Sequence, residues 1–167
     1  EYSKIEIHVY SFELHDFKPV DVSYKTHPNL ALLTALQMSS AIPILFAPKC
    51  MDGKCYLDGG IVTNYPLNYC IEAGNNKEEI LGFKNNYEDI IESEDAYNIN
   101  AESTMLDYIS TFLHKLIFHM NTEHHQQSIT HEVVYNAKVL SLSYLQSALS
   151  SRDIRYELMT GGKAAAE

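Results

Sequence analysis

The tripeptide Asp58-Gly59-Gly60 offers the residues best suited to catalysis in this sequence. Residues 55–57 are typical of a short strand, which predicts that Asp58 lies at the end of that strand. Two glycines allow the backbone to turn sharply there and leave the carboxylate uncrowded. A carboxylate in this position can act as a general base, although Asp-Gly-Gly also occurs in ordinary turns. The elements predicted around Asp58 help to distinguish a catalytic carboxylate from an ordinary turn.

Two hairpins are predicted before and around this tripeptide. Apolar and polar residues alternate in residues 5–14 and again in residues 20–24, which indicates two strands joined by a turn at residues 16–19. Asp52-Gly53 favours a two-residue turn that leads directly into the strand ending at Asp58. The sequence therefore predicts that short antiparallel connections deliver Asp58 to its position.

Three helices are predicted from apolar periodicity and end signals. Residues 30–42 favour a helix that Pro43 ends, and residues 67–73 favour one that Gly74 ends. In residues 104–120 the apolar side chains recur at the spacing of an amphipathic helix. We expect its apolar stripe to pack as core rather than to face lipid as a lid, since Lys115 is its one basic residue.

The remaining chain contains a strand, an acidic loop and a helical tail. Residues 79–83 predict a buried strand, and residues 84–102 are interpreted as a solvated acidic insertion loop. Residues 144–167 contain two shorter helical patterns, the second of which Gly161-Gly162 is expected to close.

Composition limits the class of protein. The 167 residues fit one soluble globular domain. Twelve Lys and Arg against twenty-two Asp and Glu give a net charge of −10, which excludes nucleic acid as an expected partner. No apolar stretch approaches the ~18 residues of a membrane span.

The serines, histidines and cysteines provide weaker candidates. Ser39 and Ser40 are predicted at the end of a helix, where a nucleophile gains nothing from the helix N-terminus, so we expect them to serve packing. The histidines do not share one helix face, and Cys50 and Cys55 do not form a Cys-x-x-Cys motif. We therefore expect no metal and no cofactor, with a small zinc-binding protein as the alternative. The histidines concerned are His114, His119, His124, His125 and His131.

The three cysteines are too few for a disulfide framework. We expect unpaired thiols at Cys50, Cys55 and Cys70 and a cytoplasmic location, peripheral to membranes at most.

Three segments in a fixed order resemble one family. They are Ala-Leu-Gln-Met-Ser-Ser-Ala-Ile-Pro-Ile-Leu-Phe-Ala-Pro at residues 35–48, Tyr-Leu-Asp-Gly-Gly at 56–60 and Asn-Tyr-Pro-Leu at 64–67. This series resembles the C-terminal half of the catalytic domain of patatin-like phospholipases. Weaker similarity extends to residues 81–83 and 158–165. The resemblance implies a three-layer α/β/α fold with a mostly parallel sheet.

The resemblance also implies a function, hydrolysis of lipid acyl esters by a Ser-Asp dyad. Asp58 stands at the position of the family's catalytic aspartate, and Gly59, Gly60, Asn64 and Pro66 match the residues that support its loop. The implied partners are a glycerolipid or phospholipid substrate and, transiently, a membrane surface.

The nucleophile does not appear in the sequence. None of the seven glycines lies two residues from a serine, so residues 1–167 contain no Gly-x-Ser-x-Gly element. We expect that residues 1–167 are the C-terminal portion of the domain, that the N-terminal remainder precedes Glu1, and that this chain alone is inactive. The alternative is a noncatalytic patatin-like scaffold that acts as a binding or regulatory module.

Overall fold

The structure, a computed structural model, describes residues 5–86, 99–123, 127–136 and 147–166. The chain is an α/β protein that divides into two compact units, Glu1–Pro66 with Thr104–His125 and Leu67–Ser103 with Gln126–Glu167. In chain order the elements are β1 (Val9–Glu13), β2 (Lys18–Val22), α1 (Leu32–Ser39), β3 (Lys49–Met51), β4 (Lys54–Asp58), α2 (Gly60–Thr63), α3 (Leu67–Glu72), β5 (Leu81–Asn86), α4 (Met105–Glu123), β6 (His131–Asn136) and α5 (Arg152–Ala166).

The first unit contains a four-stranded sheet in the order β2-β1-β4-β3. Every strand pair in it is antiparallel. Short turns join β1 to β2 and β3 to β4, whereas parallel neighbours need a crossover of a dozen or more residues. Both predicted hairpins are confirmed, with the second strand at Lys18–Val22 instead of residues 20–24. The prediction of a mostly parallel sheet is wrong for this sheet.

The Asp52-Gly53 turn closes the β3–β4 hairpin. Both residues have positive φ, 52° and 76°. A type I′ turn requires positive φ at both central positions, and its twist matches that of the flanking strands. The turn sets the register in which Lys49 lies opposite Tyr56 and Met51 opposite Lys54.

The same register places Cys50 directly opposite Cys55, and the two residues form a disulfide with Cα atoms 4.0 Å apart. The prediction of unpaired thiols is therefore wrong for this pair. Two cysteines that a tight hairpin brings face to face need no larger framework to bond. Cys70 forms no disulfide.

Helix α1 supplies the buried side chains that pack on one face of the sheet. Ala35 and Met38 of α1 form the core with Val22 of β2. The helix is confirmed but ends at Ser39, earlier than predicted. Beyond that point the chain leaves the helical path, and the Ala41 carbonyl accepts a hydrogen bond from the Asp58 N–H at 3.1 Å. The end of α1 is therefore tied to the end of β4.

Glu13 is buried at the end of β1 and organises the turn that follows. Its carboxylate accepts hydrogen bonds from the N–H groups of His15 and Asp16 at 2.8 and 2.9 Å. Burial raises the pKa of Glu13, but the two backbone bonds oppose burial, and the resulting pKa lies below the ordinary value. Lys54 Nζ lies 3.7 Å from the carboxylate. The turn between β1 and β2 thus depends on an ionised carboxylate.

Helix α4 begins with a capping box, which confirms the predicted amphipathic helix. The Thr104 N–H donates to Asp107 Oδ2 at 2.9 Å, and the Asp107 N–H donates to Thr104 Oγ1 at 3.2 Å. In the described ranges no helix combines the length and the hydropathy needed to cross a membrane.

The apolar stripe of α4 is not core. Met105 is 72% exposed and Phe112 is 56% exposed, and Leu106, Ile109 and Leu116 are exposed as well. The prediction that this stripe packs as core is therefore wrong for these positions. Helix α4 contacts α2 through its C-terminal part, where Asn121 is bonded to the backbone of Gly60.

The second unit contains a two-stranded parallel sheet of β5 and β6. The strand predicted at residues 79–83 is confirmed from Leu81, but Leu81 and Phe83 are exposed, so the prediction of a buried strand is wrong. Residues 84–86 belong to β5 rather than to the predicted acidic loop. Residues 87–98 of that loop lie outside the described residues.

Helix α5 continues through the two glycines that were predicted to end it. A Cβ atom on Gly161 would lie 3.0 Å from the Tyr135 hydroxyl of β6. The absence of a side chain at Gly161 therefore permits close packing of α5 on β6. Helix α3 and its end at Gly74, which has φ of 92°, are as predicted.

Candidate functional site

Asp58 is the last residue of β4, as predicted, and it lies opposite Ser11 of β1. Ser11 is fully buried, and its hydroxyl donates to the Leu57 carbonyl at 2.7 Å. The Asp58 N–H is bonded to Ala41. Three segments therefore fix the backbone of Asp58: the strand itself, its neighbour β1 and the loop after α1.

Gly59 directly follows Asp58 and passes against β1 with no room for a side chain. A Cβ atom at this position would lie 2.6 Å from the Tyr10 carbonyl oxygen and 3.1 Å from the Ser11 nitrogen. Both are backbone atoms, which cannot move aside without displacing the strand. The glycine is therefore required by close packing; its φ of −65° is open to any residue.

Gly60 begins the short helix α2, so the chain turns helical immediately after the strand. Its N–H donates to Asp58 Oδ1 at 2.7 Å. A Cβ atom on Gly60 would lie 3.1 Å from that oxygen and 2.9 Å from Asn64 Oδ1. The glycine allows the carboxylate and the Asn64 side chain to approach the same point of the backbone.

The Asp58 carboxyl is half-buried. Burial raises its pKa above the ordinary value, and the bond from the Gly60 N–H opposes part of that rise. A carboxylate with a raised pKa is a stronger base than a solvated one. Asp58 thus has the position and the electrostatics that a general base needs.

Asn64 and Pro66 lie close to Asp58 in sequence, and Asn64 contacts the loop. The Asn64 N–H donates to Asn121 Oδ1 at 2.6 Å, and the Asn64 side chain lies against Gly60. Pro66 is half-buried in the turn before α3. The structure brings Gly59, Gly60 and Asn64 together around Asp58, and Pro66 follows them along the chain.

Asn121 of α4 is the residue that sequence reasoning missed. Its Nδ2 donates to the carbonyls of Gly60 at 3.0 Å and Ile117 at 2.9 Å, with a longer approach of 3.4 Å to Ile61. A lone asparagine near the end of an amphipathic helix carries no local signal for such a contact. The signal lies in the pairing of two segments far apart in the chain.

Ser40, one of the weaker candidates, serves the backbone of α1. Ser40 caps the end of α1, and its hydroxyl donates to the Leu36 carbonyl at 2.7 Å. Within the described ranges no three histidine, cysteine, aspartate or glutamate side chains are grouped to hold a metal ion. His124 and His125 lie outside those ranges.

The structure is thus an α/β protein that presents a half-buried carboxylate at a strand end, beside close-packed glycines. Comparison with known families identifies it further. Residues 1–71, which contain Asp58, match the sequence model of the patatin-like phospholipases.

Part of the chain is also similar to a curated protein. The chain is 32% identical over 71 residues to "Probable lipid hydrolase 463L" of Invertebrate iridescent virus 6. The matched stretch covers 42% of this chain and 24% of the viral protein. The chain thus spans about a quarter of the length of this relative.

Proposed function

We propose that this chain is part of a lipid acyl hydrolase in which Asp58 is the general base. The observation that carries the proposal is the half-buried Asp58 carboxyl, which the Gly60 N–H holds at 2.7 Å within the segment that matches the patatin-like family. The printed name of the viral relative, a probable lipid hydrolase, agrees with the class of reaction.

The proposed reaction passes through an acyl-enzyme. A serine hydroxyl attacks the ester carbonyl while Asp58 accepts its proton, and the proton then passes to the leaving alcohol. Water hydrolyses the acyl-enzyme with Asp58 again as base. The serine belongs to a Gly-x-Ser-x-Gly element that residues 1–167 do not contain. Residues 1–167 therefore contribute the aspartate half of the dyad.

The proposal also covers the residues that support the Asp58 loop and the domain to which the chain belongs. Gly59 lets the loop pass against β1, and Gly60 donates to the carboxylate. Asn64 and Pro66 shape the chain that follows. We infer that residues 1–167 are the C-terminal portion of a three-layer α/β/α domain whose remaining strands belong to the same protein.

The proposed substrate is a glycerolipid or phospholipid, reached by transient contact with a membrane surface. The exposed apolar side chains of α4 lie in the same unit as Asp58 and support this contact. The net charge of −10 opposes strong binding to anionic lipid. Flotation of the full-length protein with neutral vesicles should show weak, salt-insensitive binding. Strong binding that salt reverses would contradict this part of the proposal.

The decisive experiment uses the full-length protein and its Asp58→Asn variant. Hydrolysis of a p-nitrophenyl ester and of a phospholipid should fall at least 100-fold in the variant, because the amide cannot accept the proton. A fluorophosphonate should label one serine in the wild type. Lys115→Ala, an exposed change on α4, serves as the matched control and should keep wild-type activity.

A noncatalytic scaffold is the second candidate, and the lack of a Gly-x-Ser-x-Gly element in residues 1–167 favours it. Under this alternative the full-length protein takes up no fluorophosphonate and hydrolyses no ester. That result would replace the hydrolase proposal with a binding or regulatory role for the same fold.

A further inference from the structure

We infer that Asn121 is a positioning residue for Asp58, which it holds in place through the backbone of α2; this inference rests on the proposed function of Asp58. Asn121 does not touch the carboxylate itself. Asn121 donates to the Gly60 carbonyl, and the Gly60 N–H donates to the Asp58 carboxylate. Gly60 therefore links the two side chains.

Two bonds fix α2 from both of its ends. The Asn121 Nδ2 donates to the Gly60 carbonyl at the start of α2, and the Asn121 Oδ1 accepts from the Asn64 N–H just beyond its end. One side-chain amide therefore uses its donor and its acceptor on a single turn of helix. A four-residue helix cannot hold its own geometry, because nucleation costs more than one turn of hydrogen bonds returns.

The third contact fixes Asn121 itself. Its Nδ2 also donates to the Ile117 carbonyl one turn earlier in α4, and the side chain is half-buried. The amide is thus held by its own helix while it holds α2. Such a rigid support is what keeps a catalytic group in productive geometry, where a displacement of ~1 Å can cost about 100-fold in rate.

The expected consequence of removing the amide is a displaced Gly60 N–H. Asp58 would then lose the hydrogen bond that stabilises its charged form while it stays partly buried. The remaining influence, burial, favours the protonated carboxyl, so the pKa of Asp58 rises. The acid limb of the pH–kcat profile should move to higher pH accordingly.

Charged side chains do not cause the pKa shift of Asp58, so a move of the acid limb reports on the Gly60 hydrogen bond. Burial and the Gly60 bond are the two causes of its pKa shift, and neither is a charged side chain. Helices α1 and α2 carry no titratable side chain. The described titratable side chains of the other elements around it are Lys54 and Tyr56 on β4, Tyr10 and Glu13 on β1, and Asp107, Tyr108, His114, Lys115 and His119 on α4.

The test compares the full-length wild type with Asn121→Ala, Asn121→Asp and Lys115→Ala. Asn121→Asp has the same shape and keeps the acceptor for Asn64, but its carboxylate repels the Gly60 carbonyl. We expect both Asn121 variants to lower kcat about tenfold with little change in KM, and to move the acid limb upward. Lys115→Ala should match the wild type in both properties.

Amide hydrogen exchange tests the support of α2 by Asn121 separately from its effect on catalysis. In both Asn121 variants exchange at Gly60 should become at least tenfold faster, whereas Lys115→Ala leaves it unchanged. Wild-type exchange and a wild-type acid limb in the Asn121 variants would overturn the inference while leaving the role of Asp58 intact. Full activity of Asp58→Asn would instead overturn the proposed function itself, whatever the exchange at Gly60.

Discussion

Ser11 and Asp58 lie directly opposite each other on β1 and β4, and the Ser11 hydroxyl is bonded to the carbonyl that immediately precedes Asp58. The fully buried Ser11 therefore stabilises the backbone beside the site and is not a candidate nucleophile. The pair shows how the antiparallel sheet fixes the strand end from which the carboxylate projects.

Ser11→Ala should lower the free energy of unfolding by about 1–2 kcal/mol, because the Leu57 carbonyl loses the donor supplied by the buried Ser11 hydroxyl. Urea denaturation measures the loss. Ser39→Ala on α1 is the comparison and should change stability by less. Equal effects of the two changes would show that the Ser11 bond adds nothing specific.

Gly59→Ala should destabilise the protein by about 1–3 kcal/mol, since the new methyl group would meet the backbone of Tyr10 at 2.6 Å. Gly162→Ala is the matched control in α5, where nothing lies within 4 Å of the added carbon. That change should stabilise by about 0.5–1 kcal/mol through helix propensity. Thermal unfolding of both variants tests the contrast, and a tolerated Gly59→Ala would refute the close approach of the loop to β1.

Glu13 should make stability depend on pH. Its folded pKa lies below the ordinary value, so its contribution is present at neutral pH and is lost as the pH falls through that lowered pKa. Thermal melts of wild type and Glu13→Gln between pH 2 and 7 should therefore differ most at neutral pH and converge in acid. A difference that stayed constant with pH would contradict an ionised Glu13.

Reduction of the Cys50–Cys55 disulfide should cost about 2 kcal/mol of stability, the loop-closure value for so short a loop. Urea denaturation with and without dithiothreitol measures it. Cys55→Ser should abolish the sensitivity to reductant, whereas Cys70→Ser should keep it. Sensitivity that disappears with Cys70 would assign the effect to another pair.

Residues 1–167 alone should release no product from a p-nitrophenyl ester, because they contain Asp58 without the proposed serine. A chromogenic assay of the purified chain checks this. Turnover that Asp58→Asn abolishes would place the nucleophile within these residues and contradict our account of the dyad.

Local signals in the sequence predicted much of the site. The alternation before Asp58, the Asp52-Gly53 turn and the two glycines after the strand each act within a few residues, and the structure confirms the elements they predict. The role of Asp58 in catalysis stays a prediction. Family resemblance is confirmed over residues 1–71.

Features that depend on distant pairing were not predictable. The antiparallel order of the sheet depends on which strands meet, and β1 meets β4 although β2, α1 and β3 lie between them in the chain. The Asn121 contacts with α2 and Asn64 likewise join segments more than fifty residues apart. The early end of α1 has the same origin, because Ala41 bonds to Asp58. The Cys50–Cys55 bond is local, but it depends on the register of the hairpin, which the cysteine count did not reveal.

The separation of Asn64 and Asn121 by 57 residues has a consequence for biosynthesis. At 5–20 residues per second, a ribosome needs about 3–11 seconds to add the chain between them. During that interval the loop that carries Asp58 exists without the amide that holds it. The aspartate side of the site therefore matures late in translation, after the strand that presents it.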